Sequence, residues 1–223
     1  MKTPIKKLNL LYQNLILSIG FCLVLLVLRI KITYSTFFIF LVWNLFLAGI
    51  PFLITQTLIR YMKPKSNKFI DFIGFFTWLL FLPNSPYIIT DLIHLQNKNS
   101  NLLWLDLLLV FVFAINGLVL GLLSLLDMYQ IISKTYSRKI ASFTIFKVCL
   151  LCGYGIYLGR FLCFNSWDII TQPTNLFYRM INSVYEPKVW LMTFAFGGFI
   201  WILFLLIKSV SQQKTINNLD PKA

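Results

Sequence analysis

Acidic side chains and histidine are scarce in this chain, which has seven Asp and Glu residues and one His among 223 positions. Asp91 and His94 lie three residues apart, so a helix through this segment would place both on one side. A carboxylate and an imidazole arranged in this way could bind a metal ion or share a proton. The alternative is a turn at a membrane surface with an exposed His, and two ligands alone do not complete a metal site.

The candidate catalytic residues fall near one end of the predicted apolar segments: Asp91, His94, Asp106 and Asp168. Polar side chains at membrane depth usually face the interior of a bundle or a water-filled cavity. On a helix, Asp106 shares one face with Gly117 and Ser124, which predicts that this face points into the protein.

The candidate ligand-binding residues lie at the same predicted level: Asn84, Arg160, Asn165 and Trp167. Arg160 could hold an anionic lipid headgroup or a phosphate. It could instead extend towards the lipid headgroups, or pair with Asp91, Asp106 or Asp168. Asn165 followed by Asp168 resembles a helix N-cap with an acid in the first turn, and Trp167 is typical of an interfacial anchor.

Two prolines, Pro83 and Pro86, interrupt the third apolar segment. Each removes a backbone donor and disfavours a helical conformation in the residue before it. Inside a bilayer such a break is tolerated only where protein or water satisfies the freed backbone groups. In the simplest interpretation this is a kinked helix end, and Asn84 binds the freed carbonyl groups.

Two G-x-x-x-G patterns, at Gly117 and Gly121 and at Gly155 and Gly159, predict close approach of neighbouring helices. They indicate packing and carry no chemistry of their own.

Four cysteines are present: Cys22, Cys149, Cys152 and Cys163. Cys149 and Cys152 form a C-x-x-C, the spacing of many redox and metal sites. Within an apolar membrane helix the same spacing is better explained by packing, and a structural disulfide is not expected there.

Composition excludes a water-soluble domain, because 58% of the residues are hydrophobic and 12% are charged, whereas soluble domains carry about 25% charged residues. Six stretches are long enough to cross a bilayer, since about 20 apolar residues are needed. They are 10–28, 36–59, 69–89, 102–126, 140–162 and 189–207. The fold class is therefore all-α, a polytopic transmembrane bundle of about six helices. We expect residues 1–223 to form a single membrane-embedded domain.

The net charge of +13 follows the membrane topology. Most Lys and Arg residues fall in the segments on the side of the N-terminus, which predicts that both termini are cytoplasmic (N-in/C-in). The predicted partners are the lipid bilayer and anionic lipids at the cytoplasmic basic loops. Binding of nucleic acid is not expected, because no basic motif of that class is present.

Four short motifs together resemble the bacterial membrane-protein family called domain of unknown function 1361. They are FLPNSPY at 81–87, TDLIHL at 90–95, GIYLGRF at 155–161 and NSWD at 165–168. The resemblance runs from the second to the sixth apolar segment. In the family, alanine is commoner at the position of Ser85 and a basic residue at that of Cys163. The resemblance implies a bacterial inner-membrane protein, with no reaction or cofactor attached.

The sequence leaves several functions open around an outward-facing polar site. A membrane-embedded enzyme would act on a lipid or a phosphate-bearing substrate, with Asp and His as acid and base or as metal ligands. A transporter component would need a polar path to the cytoplasmic face, for which Asn44 and Asn116 are the candidates. A scaffold would use the polar cluster only to hold the fold. No reaction, substrate or protein partner is specified.

Overall fold

The structure is a computed structural model that describes residues 4–61, 68–95 and 102–219. Within these ranges the chain is helical, without strands, and six helical segments are long and apolar enough to cross a membrane. The predicted all-α multi-pass architecture is confirmed. The basic segment 62–67, expected to contact anionic lipid, lies outside the described residues.

Nine α-helices occur in the described ranges: α1 (Pro4–Thr33), α2 (Phe40–Tyr61), α3 (Lys68–Phe81), α4 (Asn84–Tyr87), α5 (Leu103–Thr135), α6 (Arg138–Leu162), α7 (Asp168–Thr171), α8 (Pro173–Ser183) and α9 (Pro187–Leu219). The six spans are Leu10–Thr33, Phe37–Arg60, Phe69–Leu95, Leu103–Thr135, Arg138–Leu162 and Pro187–Gln213. The third span is not a continuous helix. It comprises α3, α4 and a 3₁₀ helix, Ile88–Leu95.

Helix α5 is the centre of the bundle and packs against α1, α2, α4, α6, α9 and the 3₁₀ helix. Its predicted inward face is confirmed, because Asp106, Gly117 and Ser124 are all buried. Large apolar side chains on its other face, such as Leu107 and Phe111, are about half exposed (53% each). An apolar exterior of this kind is the surface that a lipid bilayer covers.

The broken third span is wedged between two pairs of glycines. A Cβ added to Gly121 would lie 2.6 Å from Cβ of Ser85, and one added to Gly117 would lie 2.8 Å from the Ser85 carbonyl oxygen. On the other side, a Cβ at Gly155 would lie 2.6 Å from Cγ of Pro83. The two G-x-x-x-G patterns of α5 and α6 thus make room for the same short segment.

Side chains satisfy backbone carbonyls that are left open where the helix breaks. Asn84 Nδ2 donates to the carbonyl of Phe81 (2.9 Å), and Ser166 Oγ donates to that of Leu80 (3.0 Å). Asn84 Nδ2 also donates to Ser166 Oγ at 2.9 Å, which ties the α3 end to the loop after α6. Asn84 therefore binds a freed carbonyl, as the simplest interpretation of the motif predicts.

A buried ion pair joins α1 to α5. Arg29 Nε lies 2.9 Å from Asp106 Oδ1, and Arg29 Nη2 lies 3.3 Å from Asp106 Oδ2. Arg29 Nη1 donates to Thr33 Oγ1 and to the Ser35 carbonyl, and the guanidinium stands 4.7 Å from the ring centre of Phe38. Every nitrogen of this guanidinium has an acceptor, and four of its five N–H groups are used.

A second polar network joins the opposite ends of α1, α2 and α5. Asp127 Oδ2 accepts hydrogen bonds from Thr55 Oγ1 (3.1 Å) and Gln56 Nε2 (2.6 Å). Gln56 Oε1 in turn accepts from the Tyr12 hydroxyl at 2.7 Å. Polar contacts therefore join α1 to α5 near one end of α5 and all three helices near the other end.

The wedge predicts that alanine destabilises the protein at one glycine and is tolerated at another. Gly155→Ala should destabilise the protein by about 1–3 kcal/mol, because the added methyl group overlaps the Pro83 ring. Gly198→Ala is the matched control, since nothing lies within 4 Å of a Cβ at that position. Thermal unfolding of both variants in detergent measures the difference. Equal unfolding temperatures for the two would contradict the wedge.

Candidate functional site

A cavity of about 1100 Å³ lies between α2, α3 and α6, beside the broken span. Polar side chains from four segments line it at the end where α6 finishes: Asn44, Asn84, Asp91, His94, Arg160, Asn165 and Ser166. This end of the bundle is called the cavity end below. Five of the predicted site residues, Asn84, Asp91, His94, Arg160 and Asn165, thus share one cavity wall.

Asp91 and Arg160 form the centre of the polar wall. Arg160 Nη1 lies 3.3 Å from Asp91 Oδ1, and Asn44 Nδ2 donates to Asp91 Oδ2 at 2.9 Å. The Asp91 side chain is 2% exposed and that of Arg160 is 14% exposed. The 3₁₀ helix carries Asp91, α6 carries Arg160 and α2 carries Asn44, so three segments meet at one carboxylate.

His94 stands beside this pair and is more open to the cavity, with a side chain 40% exposed. Its Nε2 lies 3.3 Å from Arg160 Nη1 and 3.9 Å from Asp91 Oδ1. A guanidinium can only donate hydrogen bonds, so Nε2 accepts from Arg160 and the ring proton is on Nδ1.

Arg160 differs from Arg29 in how much of its guanidinium is used. Nη1 of Arg160 makes both contacts, with Asp91 and His94. None of the described residues accepts a hydrogen bond from its Nε or Nη2, whereas all three nitrogens of Arg29 have acceptors. Arg160 therefore presents unused donors at the wall of a cavity, the arrangement that recognises carboxylate or phosphate groups.

Below Arg160 the cavity walls are mainly apolar, with Thr77 and Tyr154 as the polar side chains among them. Leu151, Leu158 and Phe76 line it, and Leu151 lies nine residues before Arg160 on α6, or about 13 Å along the helix axis. Phe76 and Leu151 are 52% and 51% exposed, although both lie within membrane spans. The cavity thus opens sideways between α3 and α6, towards the lipid.

Helix α8 borders the same cavity. Leu176 and Met180 line it, and the Tyr154 hydroxyl holds α8 in place through the Met180 carbonyl (3.3 Å). On the adjoining flank Phe177 and Ile181 are 55% and 64% exposed. A helix with such an exposed apolar flank, between two spans, is typical of one lying in the membrane interface.

Asp168 and Asp106 lie outside the cavity wall. Asp168 Oδ2 accepts from the backbone N–H of Asn165 (2.7 Å), and its Oδ1 accepts from Thr171 Oγ1 (2.9 Å). Asn165 does not cap the helix with its side chain; instead, the acid caps the turn before it. Asp106 is held by Arg29, so neither carboxylate is available to Arg160.

Trp167 contacts the site indirectly. Its ring centre lies 6.4 Å from that of Trp43, and Trp43 lines the cavity. The side chain is 36% exposed, as suits a residue at the edge of the bilayer.

Sequence reasoning missed three contributors to this region. Asn44 appeared only as a possible step in a transport path, and its isolated amide in an apolar helix was the available signal. Arg29 was not among the candidate residues, although it pairs with Asp106. Cys163, which is exposed and lines the cavity, ends α6 in a left-handed conformation (φ 57°).

Neither a metal cluster nor a polar transport path is completed within the described residues. Across 4–61, 68–95 and 102–219, Asp91 and His94 are not joined by a further His, Cys, Asp or Glu into a group that could hold a metal. Cys149 and Cys152 are buried and unbridged, in agreement with a packing role. Asn116 donates to Cys22 Sγ, away from the cavity, so it does not extend the polar wall that contains Asn44.

A protein-family model described as "Protein of unknown function (DUF1361)" matches residues 43–203. The chain belongs to this family. The resemblance inferred from the four motifs is confirmed, and in the structure two of the motifs are in direct contact, through Asn84 and Ser166. The matched range contains every polar residue of the cavity wall and excludes Arg29. No curated protein and no solved structure matches the chain.

The two ion pairs should respond differently to loss of their arginine. Arg29→Gln leaves the nearly inaccessible Asp106 without a cation, which should cost about 3–5 kcal/mol. Arg160→Gln should cost less, because Asn44 still donates to Asp91 and the site is open to a cavity. Denaturant unfolding in micelles compares the two variants. A larger loss for Arg160→Gln would contradict the distinction between a structural and an accessible pair.

Proposed function

We propose that this protein binds an amphiphilic molecule with an anionic headgroup, a phosphate or a carboxylate, from within the bilayer. The headgroup would pair with Arg160, and the apolar part would lie in the lower cavity. The single observation that carries this proposal is the pair of unused guanidinium nitrogens of Arg160 at the cavity wall. In a purely structural arginine each guanidinium nitrogen would have an acceptor, as in Arg29.

The shape of the cavity supports an amphiphile over a small soluble anion. Its charged and amide side chains are confined to one end, while Phe76, Leu151 and Leu158 form a mainly apolar wall that opens towards lipid. A small anion would leave that wall without a ligand. Helix α8 would lie in the interface at the cavity mouth, where its exposed Phe177 and Ile181 contact acyl chains.

The distribution of charge supports an orientation with the cavity end outward. Basic residues at the opposite end of the bundle include Lys134, Arg138, Lys139 and Lys208. By the positive-inside rule that end faces the cytoplasm, which gives the N-in/C-in topology. The chain would then be one membrane-embedded unit of the bacterial inner membrane, with its basic end against anionic lipid.

A membrane-embedded enzyme is the second candidate, and the position of His94 favours it. Its Nε2 is 3.3 Å from Nη1 of the arginine that would hold the headgroup, and it faces a donor there. An imidazole at this distance could accept a proton from a group attached to a bound phosphate or carboxylate. Asp91 would orient Arg160 rather than the imidazole, since its Oδ1 is 3.9 Å from Nε2.

Cys163 provides a direct test of binding. It lines the cavity and is exposed, whereas Cys22, Cys149 and Cys152 are buried. We expect lysophosphatidic acid to slow maleimide labelling of Cys163 about fivefold when about 80% of the sites are occupied. A monoacylglycerol with the same acyl chain lacks the phosphate and should protect much less. Labelling of protein purified in a neutral maltoside detergent, followed by mass spectrometry, measures both rates.

Two variants make this test specific. Arg160→Gln should abolish protection, judged by the ratio of rates with and without ligand because removal of a charge also changes the thiol. Arg179→Gln is the matched control, since Arg179 is exposed on α8 and does not line the cavity. Equal protection by both lipids, or protection that survives Arg160→Gln, would contradict the proposed headgroup site.

A further inference from the structure

A second groove lies at the opposite end of the bundle, between α6 and α9. It has a volume of about 620 Å³, and Tyr129 of α5 contributes to its lining. Three cationic side chains line it: Arg138, Lys139 and Lys208. Its other lining residues are polar or aromatic and include Ser142, Phe146 and Trp201. This groove, called the basic groove below, shares no residue with the cavity.

The charge of the basic groove is not balanced within the described part of the chain. None of its lining residues is acidic, and no described carboxylate forms an ion pair with Arg138, Lys139 or Lys208. Asp127 of α5 does not line the groove, and its Oδ2 accepts from Thr55 and Gln56. Concentrated positive charge of this kind attracts an anion.

Lys208 is held in a definite position at the groove. Its Nζ donates to Ser142 Oγ at 3.3 Å and lies 4.0 Å from the ring centre of Tyr129. The hydroxyl and the ring fix the ammonium group between α6 and α9, while neither of them neutralises it. An immobilised ammonium loses less side-chain entropy when an anion binds.

The first turn of α6 adds to the positive potential. Ser137 caps this 25-residue helix by accepting from the Ile140 N–H at 3.2 Å, and Arg138 and Lys139 follow directly. The positive end of the helix dipole therefore coincides with the three cations.

The groove also lies at the boundary between water and lipid. Lys147 is nine residues into α6, yet its Nζ lies 4.3 Å from the ring of Phe143, which lines the groove. The lysine thus extends back towards the helix start, as lipid-facing lysines do to reach the headgroup region. Phe143 is 60% exposed, and the Phe146 and Trp201 rings meet at 5.3 Å, so an aromatic surface continues from the cations.

We propose that the basic groove binds an anionic phospholipid of the surrounding bilayer. The phosphate would lie between Lys208 and Arg138, with Lys139 beside it, and the acyl chains would pack against Phe146 and Trp201. A lipid fits better than a soluble anion, because the aromatic surface adjoins the cations on the lipid-facing side. Basic pockets between membrane helices bind anionic headgroups in this way.

Native mass spectrometry of the full chain in neutral detergent tests the proposal, with phosphatidylglycerol and phosphatidylcholine of identical acyl chains as probes. We expect phosphatidylglycerol to be retained by the protein. Its apparent affinity should fall about fivefold in Lys208→Gln and, separately, about fivefold in Arg138→Gln. Arg138 is exposed, so its variant reports on binding even if Lys208→Gln impairs folding. Phosphatidylcholine should bind more weakly and show no such dependence.

Lys188→Gln is the matched control, because Lys188 also stands over an aromatic ring (Phe161, 5.5 Å) but lies at the cavity end. It should leave phosphatidylglycerol binding unchanged. Phosphatidylglycerol could also enter the cavity, so both groove variants are compared again in an Arg160→Gln background. Their losses should persist there, which separates this site from the proposed cavity ligand. Equal retention of both lipids, no loss in either groove variant, or complete displacement by inorganic phosphate would overturn the proposal.

Discussion

The structure depends on how a broken helix is accommodated inside a bilayer. Pro83 and Pro86 stop the third span short, and the exposed backbone has no water to bind at that depth. Glycines of α5 and α6 admit the segment from both sides, and Asn84 and Ser166 donate to its freed carbonyls. The chain can then continue as the 3₁₀ helix that brings Asp91 and His94 up to α6. Without this accommodation the polar wall of the cavity would not be assembled.

Two buried arginine–aspartate pairs occur at the same end of the bundle, and their environments separate fold from function. The pair of Arg29 and Asp106 is bidentate and almost inaccessible, and it joins α1 to α5 at the centre of the protein. Arg160 shares a single nitrogen between Asp91 and His94 and keeps the rest of its guanidinium towards a cavity. Burying a charge is costly whatever its role. A buried arginine with unpaired N–H groups is retained most readily where a ligand accepts hydrogen bonds from them.

Hydropathy was sufficient to predict the six spans, because a helix that crosses lipid must be apolar along its whole length. The proline break and the inward face of α5 were also predictable, since both follow from local chemistry and helical period. The partner of Asp106 was not predictable. A helical face gives a direction within one helix, but the neighbour found in that direction depends on how the other helices are arranged. For the same reason the amide of Asn44 could not be assigned to Asp91, and a cavity formed where α3 and α6 separate leaves no pattern in either helix.

The polar contacts at the two ends of α5 determine which bilayer thickness suits the protein. Asp106 and Asp127 are 21 residues apart, roughly 31 Å along the helix, which is close to the thickness of a typical hydrocarbon core. Each carboxylate is tied to neighbouring helices, so the distance between them is fixed by the bundle and not by one flexible helix. The spacing of the two networks therefore matches a hydrocarbon core of ordinary thickness. In a thicker membrane one of the charged networks would be drawn into hydrocarbon, and tilting of a single helix could not relieve the mismatch.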